Sequence, residues 1–295
     1  TKISKSKNYN KAEDYHQKYF GKKFLMSLIS TEWLENNLLN VKIIDGSWHM
    51  PAANRSGKEE FNKEHIPNAI FFDIDKNCNK STDLPHMLTD ISSWENILSS
   101  MGISNEDEIV IYDNSDVLSA CRVWFNLIYF GHDKKKVHVL DGGFNKWKKE
   151  KRITSTNNII IQSTSYKAKE NNGMVKSKDQ IDQNIIKKKF DLVDARSKDR
   201  FNGTTPDPRR NVRSGSIPNS ICLPFKTLIN DDFTFKSKSE ISSYFKDLSL
   251  NDPVNVVFSC GSGITACVLA LAYSQVNNKY LPVIYDGSWA EYGKI

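Results

Sequence analysis

Residues 253–275, PVNVVFSCGSGITACVLALAYSQ, and residues 108–130, EIVIYDNSDVLSACRVWFNLIYF, follow one pattern. In each, a short β-branched run meets a small polar loop and then an apolar or amphipathic stretch of helical length, as when a strand feeds a helical crossover. Three more pairs recur in the same order: EHIPNAIFFD (64–73) with GSIPNSICLP (215–224), VLDGGFNKW (139–147) with IYDGSWAEY (284–292), and IIDGSW (43–48) with LVDARS (192–197). All the offsets fall between 145 and 151 residues. Four ordered matches at nearly one offset imply two copies of one unit, and such a repeat fixes the architecture before any motif is read.

Within each copy the strand-like runs (VKIID, IVIYD, VHVL; then DLVDA, NVVFS, PVIYD) alternate with helical stretches. That alternation predicts an α/β fold of two tandem domains, each a mostly parallel sheet flanked by helices on both faces. A chain of 295 residues has room for both. The expected division is a basic polar tail over 1–24, disordered; a first domain over 25–150; a linker over 151–175, rich in Asn, Ser, Thr and Lys; and a second domain over 176–295. Ser177 is placed to cap a helix that ends in three lysines, which suit its C-terminal dipole.

Apolar residues at 39% and charged residues at 26% describe a globular chain with enough core material. The net charge of +6 sits almost entirely in the tail, where seven lysines face only Glu13 and Asp14. The body is therefore close to neutral and lacks the clustered basic footprint that nucleic acid requires. The longest apolar run is about eight residues, far short of a bilayer span, so no membrane insertion is expected. The tail has no apolar core of the kind a secretory signal carries. Five cysteines, odd in number and without a CxxC pair, suggest neither a disulfide framework nor a zinc site.

The two copies differ where chemistry is possible. Aligned through SAC (119–121) and TAC (265–267), Cys260 of the second copy falls opposite Asn114 of the first, Ser262 opposite Asp116 and Gly263 opposite Val117. Only the second copy then carries a nucleophile, together with the glycines that let backbone amides approach a ligand. A cysteine between a parallel strand and a helix sits where open α/β sheets bind ligands, and the unpaired amides there favour an anion. Thiolate, the form that attacks sulfur or carbon, is the expected state of Cys260. Cys78, Cys121, Cys222 and Cys267 read as packing residues.

The tandem units, HIPNA, FFDID, DGGFNKW and above all CGSGITA resemble the two-domain rhodanese superfamily, and within it the 3-mercaptopyruvate sulfurtransferases. The likeness runs from about Leu28 to the end of the chain. Thiosulfate-using members typically place basic residues after the cysteine, whereas this chain has Gly261-Ser262-Gly263, continuing into Ile264 and Thr265. The resemblance implies a sulfurtransferase that takes sulfur from 3-mercaptopyruvate, holds it as a Cys260 persulfide and passes it to thioredoxin, a small thiol or cyanide. It further implies that Arg200 and Arg209 of DRFNGTTPDPRR bind the substrate's carboxylate and keto oxygen, a task suited to the planar guanidinium fork. Ser262, His86 of LPHML and Asp75 of FFDID match the family's proton relay, with Gly261, Gly263, Ile264 and Thr265 completing the substrate loop. Because the relay draws on both copies, the site is expected in the cleft between them.

On the same grounds no metal or organic cofactor is needed, and the protein is expected to act as a monomer in a reducing intracellular compartment, cytoplasmic or mitochondrial. Two alternatives stay open: a thiosulfate:cyanide sulfurtransferase and a non-catalytic rhodanese-like interaction module. A cysteine phosphatase is disfavoured, because Ala266 stands where that chemistry needs arginine.

Overall fold

In a computed structural model, which describes residues 27–295, the repeat becomes two matching sheets. The expected disordered tail over 1–24 lies outside the described residues. In the first half the order is β1 (Leu28–Ile29), α1 (Thr31–Glu35), β2 (Lys42–Asp45), α2 (Gly57–Lys63), β3 (Ala69–Phe71), α3 (Ile91–Ser100), β4 (Ile109–Tyr112), α4 (Ala120–Tyr129), β5 (Val137–Leu140) and α5 (Gly143–Lys149). In the second it is β6 (Val175–Lys176), α6 (Lys178–Lys187), β7 (Asp191–Asp194), α7 (Lys198–Asn202), β8 (Ile221–Cys222), α8 (Lys238–Asp247), β9 (Val256–Ser259), α9 (Ile264–Val276), β10 (Ile284–Tyr285) and α10 (Ser288–Tyr292).

The strand orders are β1-β5-β4-β2-β3 and β6-β10-β9-β7-β8, the same arrangement twice, and every pairing is parallel. The central strands β4 and β9 are buried at every residue, which is why their sequences, IVIY and VVFS, are almost unbroken apolar runs. Polar side chains mark where helices begin. The Ser177 hydroxyl accepts the Gln180 amide, and the Gln180 side chain returns the bond, so α6 opens on a capping box and ends at Lys187 with Lys188 left-handed (φ 45°).

Besides a smaller buried cluster of its own in each unit, the two units share one large core. Helices α4 and α9, each following the loop after a central strand, pack against one another, and their side chains belong to a single buried cluster that includes Val123, Phe125, Val268 and Leu271. Helix α9 is buried from Ala266 to Tyr273, the signature of a helix apolar on all sides. Each fully buried Leu or Val there stabilises the fold by about 1.5 to 3 kcal/mol relative to exposure. This packing brings the C-terminal ends of β4 and β9 toward one cleft. Among the described residues no helix is long and apolar enough to cross a membrane.

The segment over 151–175 is not a free connection. It runs back along the first unit, where the amides of Thr164, Lys169 and Asn171 donate to the carbonyls of Ser99, Phe130 and Tyr129 at 3.0, 3.0 and 2.8 Å. Tyr166 is buried against His132, its hydroxyl 3.1 Å from Nδ1.

Candidate active site in the cleft between the two units

Cys260 is the first residue past β9 and is 2% exposed. Its amide donates to the Ser288 hydroxyl at 3.2 Å, and its carbonyl accepts the Trp289 amide at 3.0 Å. The Gly261 carbonyl accepts the Ala290 amide at 2.9 Å and Arg209 Nη1 at 2.6 Å. The chain then turns into α9 through Gly263, whose φ of 80° is left-handed. A Cβ here would lie 2.8 Å from Arg122 Nη1 and 3.1 Å from the Asp286 carbonyl, so glycine is required twice over. Beyond this turn lie the first amides of α9, which have no acceptor within their own helix and a favourable dipole for an anion.

Strand register corrects one detail of the alignment between the copies. Asp45 pairs with Tyr112 in the first sheet as Asp194 pairs with Ser259 in the second. The residue after the strand is therefore Asp113, not Asn114, in the place of Cys260. The Phe144 amide donates to the Asp113 carbonyl at 2.8 Å just as Trp289 does to Cys260. The first copy has one more residue between the strand end and the shared SAC/TAC triplet, and an alignment anchored on that triplet absorbs it in the wrong place. The Asp113 carboxylate accepts the amides of Ser115 and Ala120 at 2.9 and 2.7 Å. Burial pushes its pKa up to about 7 against those two bonds. The first unit thus holds a fixed carboxylate where the second has its cysteine.

The three residues expected to form a relay meet across the cleft. His86 Nδ1 lies 3.0 Å from Ser262 Oγ, and Nε2 lies 3.1 Å from Asp75 Oδ1. His86 itself is left-handed (φ 63°), a conformation uncommon for a residue with a side chain. The hydrogen bond from His86 is the main reason the Asp75 carboxyl is held below its usual range; burial opposes it, and Trp48 assists. Trp48 Nε1 reaches both Asp75 oxygens at 3.0 Å, and its ring meets His86 edge-on at 4.7 Å.

Behind the relay stands a buried ion pair between the units. Arg122 of α4 is 2.7 Å from Asp286, just after β10, with side-chain exposures of 1% and 4%. Arg122 also donates to the carbonyls of His86 at 2.6 Å and Gly263 at 3.3 Å, and Asp286 accepts the Leu88 amide at 2.9 Å. One guanidinium therefore ties the backbone of the relay histidine to the backbone of the cysteine loop.

Arg200 and Arg209 flank the same loop, with Nη2 atoms 3.4 and 2.9 Å from where a Gly261 Cβ would sit. Both are bound by Asp207. Its carboxylate, 2% exposed, accepts Arg200 Nη2 at 2.7 Å, Arg209 Nε at 2.9 Å, Arg209 Nη2 at 3.2 Å and the Arg209 amide at 3.0 Å. Burial would raise the Asp207 pKa, but these bonds outweigh it and hold the carboxyl below its usual range. Arg200 Nε is buried with no hydrogen-bond partner among the described residues.

These groups enclose a cavity of about 550 Å³, lined by Cys260, Gly261, Ser262, Ile264, Thr265, His86, Asp75, Arg200 and Arg209. Of the ten residues singled out from sequence, only Gly263 is off its surface, capping the helix behind it. Trp48, Met50, Pro51, Val117 and Pro208 complete an apolar wall. Sequence reading missed Trp48, Asp207, Arg122 and Asp286; the one visible signal was a lone arginine inside the apolar run LSACRVWFNLIYF. Of the other cysteines, Cys121 and Cys267 are fully buried, and burial pushes the Cys267 thiol up to about 12 and the Cys222 thiol to about 11.

The model of the Rhodanese-like domain matches residues 30–150 and again 177–294. The chain belongs to the rhodanese family. Among curated rhodanese-family proteins it is 36% identical to the Arabidopsis thaliana thiosulfate/3-mercaptopyruvate sulfurtransferase 1, mitochondrial, with 90% of this chain and 75% of that one covered. It is 34% identical to the Mus musculus 3-mercaptopyruvate sulfurtransferase, covering 90% and 91%. Among solved structures it is similar to the Escherichia coli 3-mercaptopyruvate enzyme SseA, with a TM-score of 0.79 at 26% identity, over 90% of this chain and 99% of the other.

Proposed function

We propose that this rhodanese-family protein is a sulfurtransferase whose donor is 3-mercaptopyruvate. The observation that carries the reading is the sharing of one cavity by a buried thiol, a charge-free Gly-Ser-Gly loop, a paired-arginine anchor and the Ser262–His86–Asp75 relay. Arg200 and Arg209 hold the donor's carboxylate end, leaving its thiol facing Cys260. The Cys260 thiolate attacks the donor sulfur; the S–S bond forms as the C–S bond breaks, and the electron pair of that bond leaves on carbon as the enolate of pyruvate. The proton from the donor thiol moves through Ser262 and His86 to the enolate carbon, so Cys260 ends as a persulfide anion and pyruvate departs neutral at that carbon. The first-turn amides of α9 cradle the outer sulfur. A second thiol, from thioredoxin or a small molecule, or cyanide then takes that sulfur and restores the thiolate. The protein does this as a monomer, since both halves of the site come from one chain.

A thiosulfate donor is the second reading, favoured by the two guanidinium groups at the cavity and by the paired activities in the name of the Arabidopsis relative. Pyruvate release and thiosulfate:cyanide turnover by the same preparation separate the two. A kcat/KM for thiosulfate well above that for 3-mercaptopyruvate would overturn the choice of donor.

A further inference from the structure

We propose that Asp207 is a specificity-determining residue, which sets the charge of the donor site to match a monoanion and so discriminates against dianionic sulfur donors. The inference rests on the mercaptopyruvate reading above and deepens it. Two arginines alone would present two positive charges to the cavity. The buried Asp207 carboxylate accepts four N–H groups from them and lies within 3.2 Å of both guanidiniums, so the cluster carries one net positive charge. The other charges of the cleft lie outside that cluster. Arg122 and Asp286 cancel as a buried pair, and Asp75, held by His86 and Trp48, adds a negative charge that is the same in every Asp207 variant. The loop from Gly261 to Thr265 has no charged side chain.

A donor bound against the guanidiniums feels repulsion from Asp207 in proportion to its own charge. 3-Mercaptopyruvate carries one negative charge and thiosulfate two, so the carboxylate penalises thiosulfate twice as heavily. A unit charge about 7 Å away in an effective dielectric near 20 amounts to more than a tenfold factor. Asp207 also occupies the side-on edge of Arg209, Nε and Nη2, and one N–H of Arg200, while the buried Nε of Arg200 stays unpaired. With Arg209 Nη1 given to the Gly261 carbonyl at 2.6 Å, few N–H groups of the pair are left for a donor.

The test compares kcat/KM for 3-mercaptopyruvate and for thiosulfate in the wild type, Asp207→Asn and Asp207→Glu. Asp207→Asn removes the charge and keeps the shape, and the ratio of the two kcat/KM values shifts at least tenfold toward thiosulfate. Asp207→Glu restores the charge and returns the ratio to within about threefold of the wild type. Equal loss with both donors in Asp207→Asn, or the same shift in Asp207→Glu as in Asp207→Asn, makes the residue merely structural and overturns the proposal. Wild-type protein gives a reading that needs no variant to fold: pyruvate competes with the donor more tightly than sulfate does, and the reverse order contradicts a singly charged site. A wild type that gains no sulfur from 3-mercaptopyruvate would instead sink the underlying donor assignment, whatever the anion order.

Discussion

At the scale of single residues, Asp75 shows how the site couples stability to protonation. Its carboxyl is held below the ordinary value of 3.8, mainly by His86. A depressed acid contributes stability that is fully present above its unfolded pKa and is lost as pH falls through the folded one. The advantage of the wild type over Asp75→Asn in urea midpoint is therefore constant from pH 7 to about pH 5 and shrinks below 3.8. A gap that widens on acidification would contradict the sign. Asp113 works the other way, since its raised pKa of about 7 favours the folded state at low pH, and that contribution disappears as pH rises from 3.8 through 7. Cys260 and the eight other expected residues that share its cavity could be named from sequence because they lie in recognisable motifs. Asp207 was not, since an acid in a Pro-rich loop looks solvated until the fold wraps two arginines around it.

At the scale of elements, the decisive unit is β9, the four-residue loop and α9. Its sequence is readable because the apolar run stops at Ser259 and glycines punctuate the loop beyond it. Gly263 is the hinge of that unit. Gly263→Ala puts a Cβ into a left-handed position and against both Arg122 and the Asp286 backbone, and costs about 1 to 3 kcal/mol in denaturant unfolding, together with sulfur transfer. A variant as stable as the wild type would mean that the turn is not needed in this form. The one-residue slip between Asn114 and Asp113 also belongs here. Residue identity favours aligning the helices, whereas hydrogen-bond register fixes the strands, and only the second is visible in three dimensions. The strap over 151–175 escaped for a related reason: it is held by backbone bonds and by scattered partners such as Ser99, Asn105 and Glu95, which leave no periodic pattern in the sequence.

At the scale of the whole molecule, the first unit is part of the candidate site. It supplies Asp75, His86 and Trp48 to the cavity and Arg122 to the tie that holds the cysteine loop. The repeat made the two-domain fold plain, because periodic strands and helices recur at one offset. The tie was hidden, because Arg122 and Asp286 are distant in sequence and the lone arginine in an apolar run marks only one end of it. Arg122→Leu strands the buried Asp286 carboxylate and costs about 3 to 5 kcal/mol, while pairing it with Asp286→Leu recovers part of the loss. A single variant within experimental error of the wild type would show that the units are held by α4 and α9 alone.

The central claim is that Cys260 carries sulfur. Incubation with 3-mercaptopyruvate in the absence of an acceptor, followed by peptide mass spectrometry, is predicted to add about 32 Da, one sulfur atom, to the Cys260 peptide. Thioredoxin with its reductant or cyanide then removes it, and Cys260→Ser neither gains the mass nor releases pyruvate. Sulfur found on another cysteine, or pyruvate released at the wild-type rate by Cys260→Ser, would contradict the account.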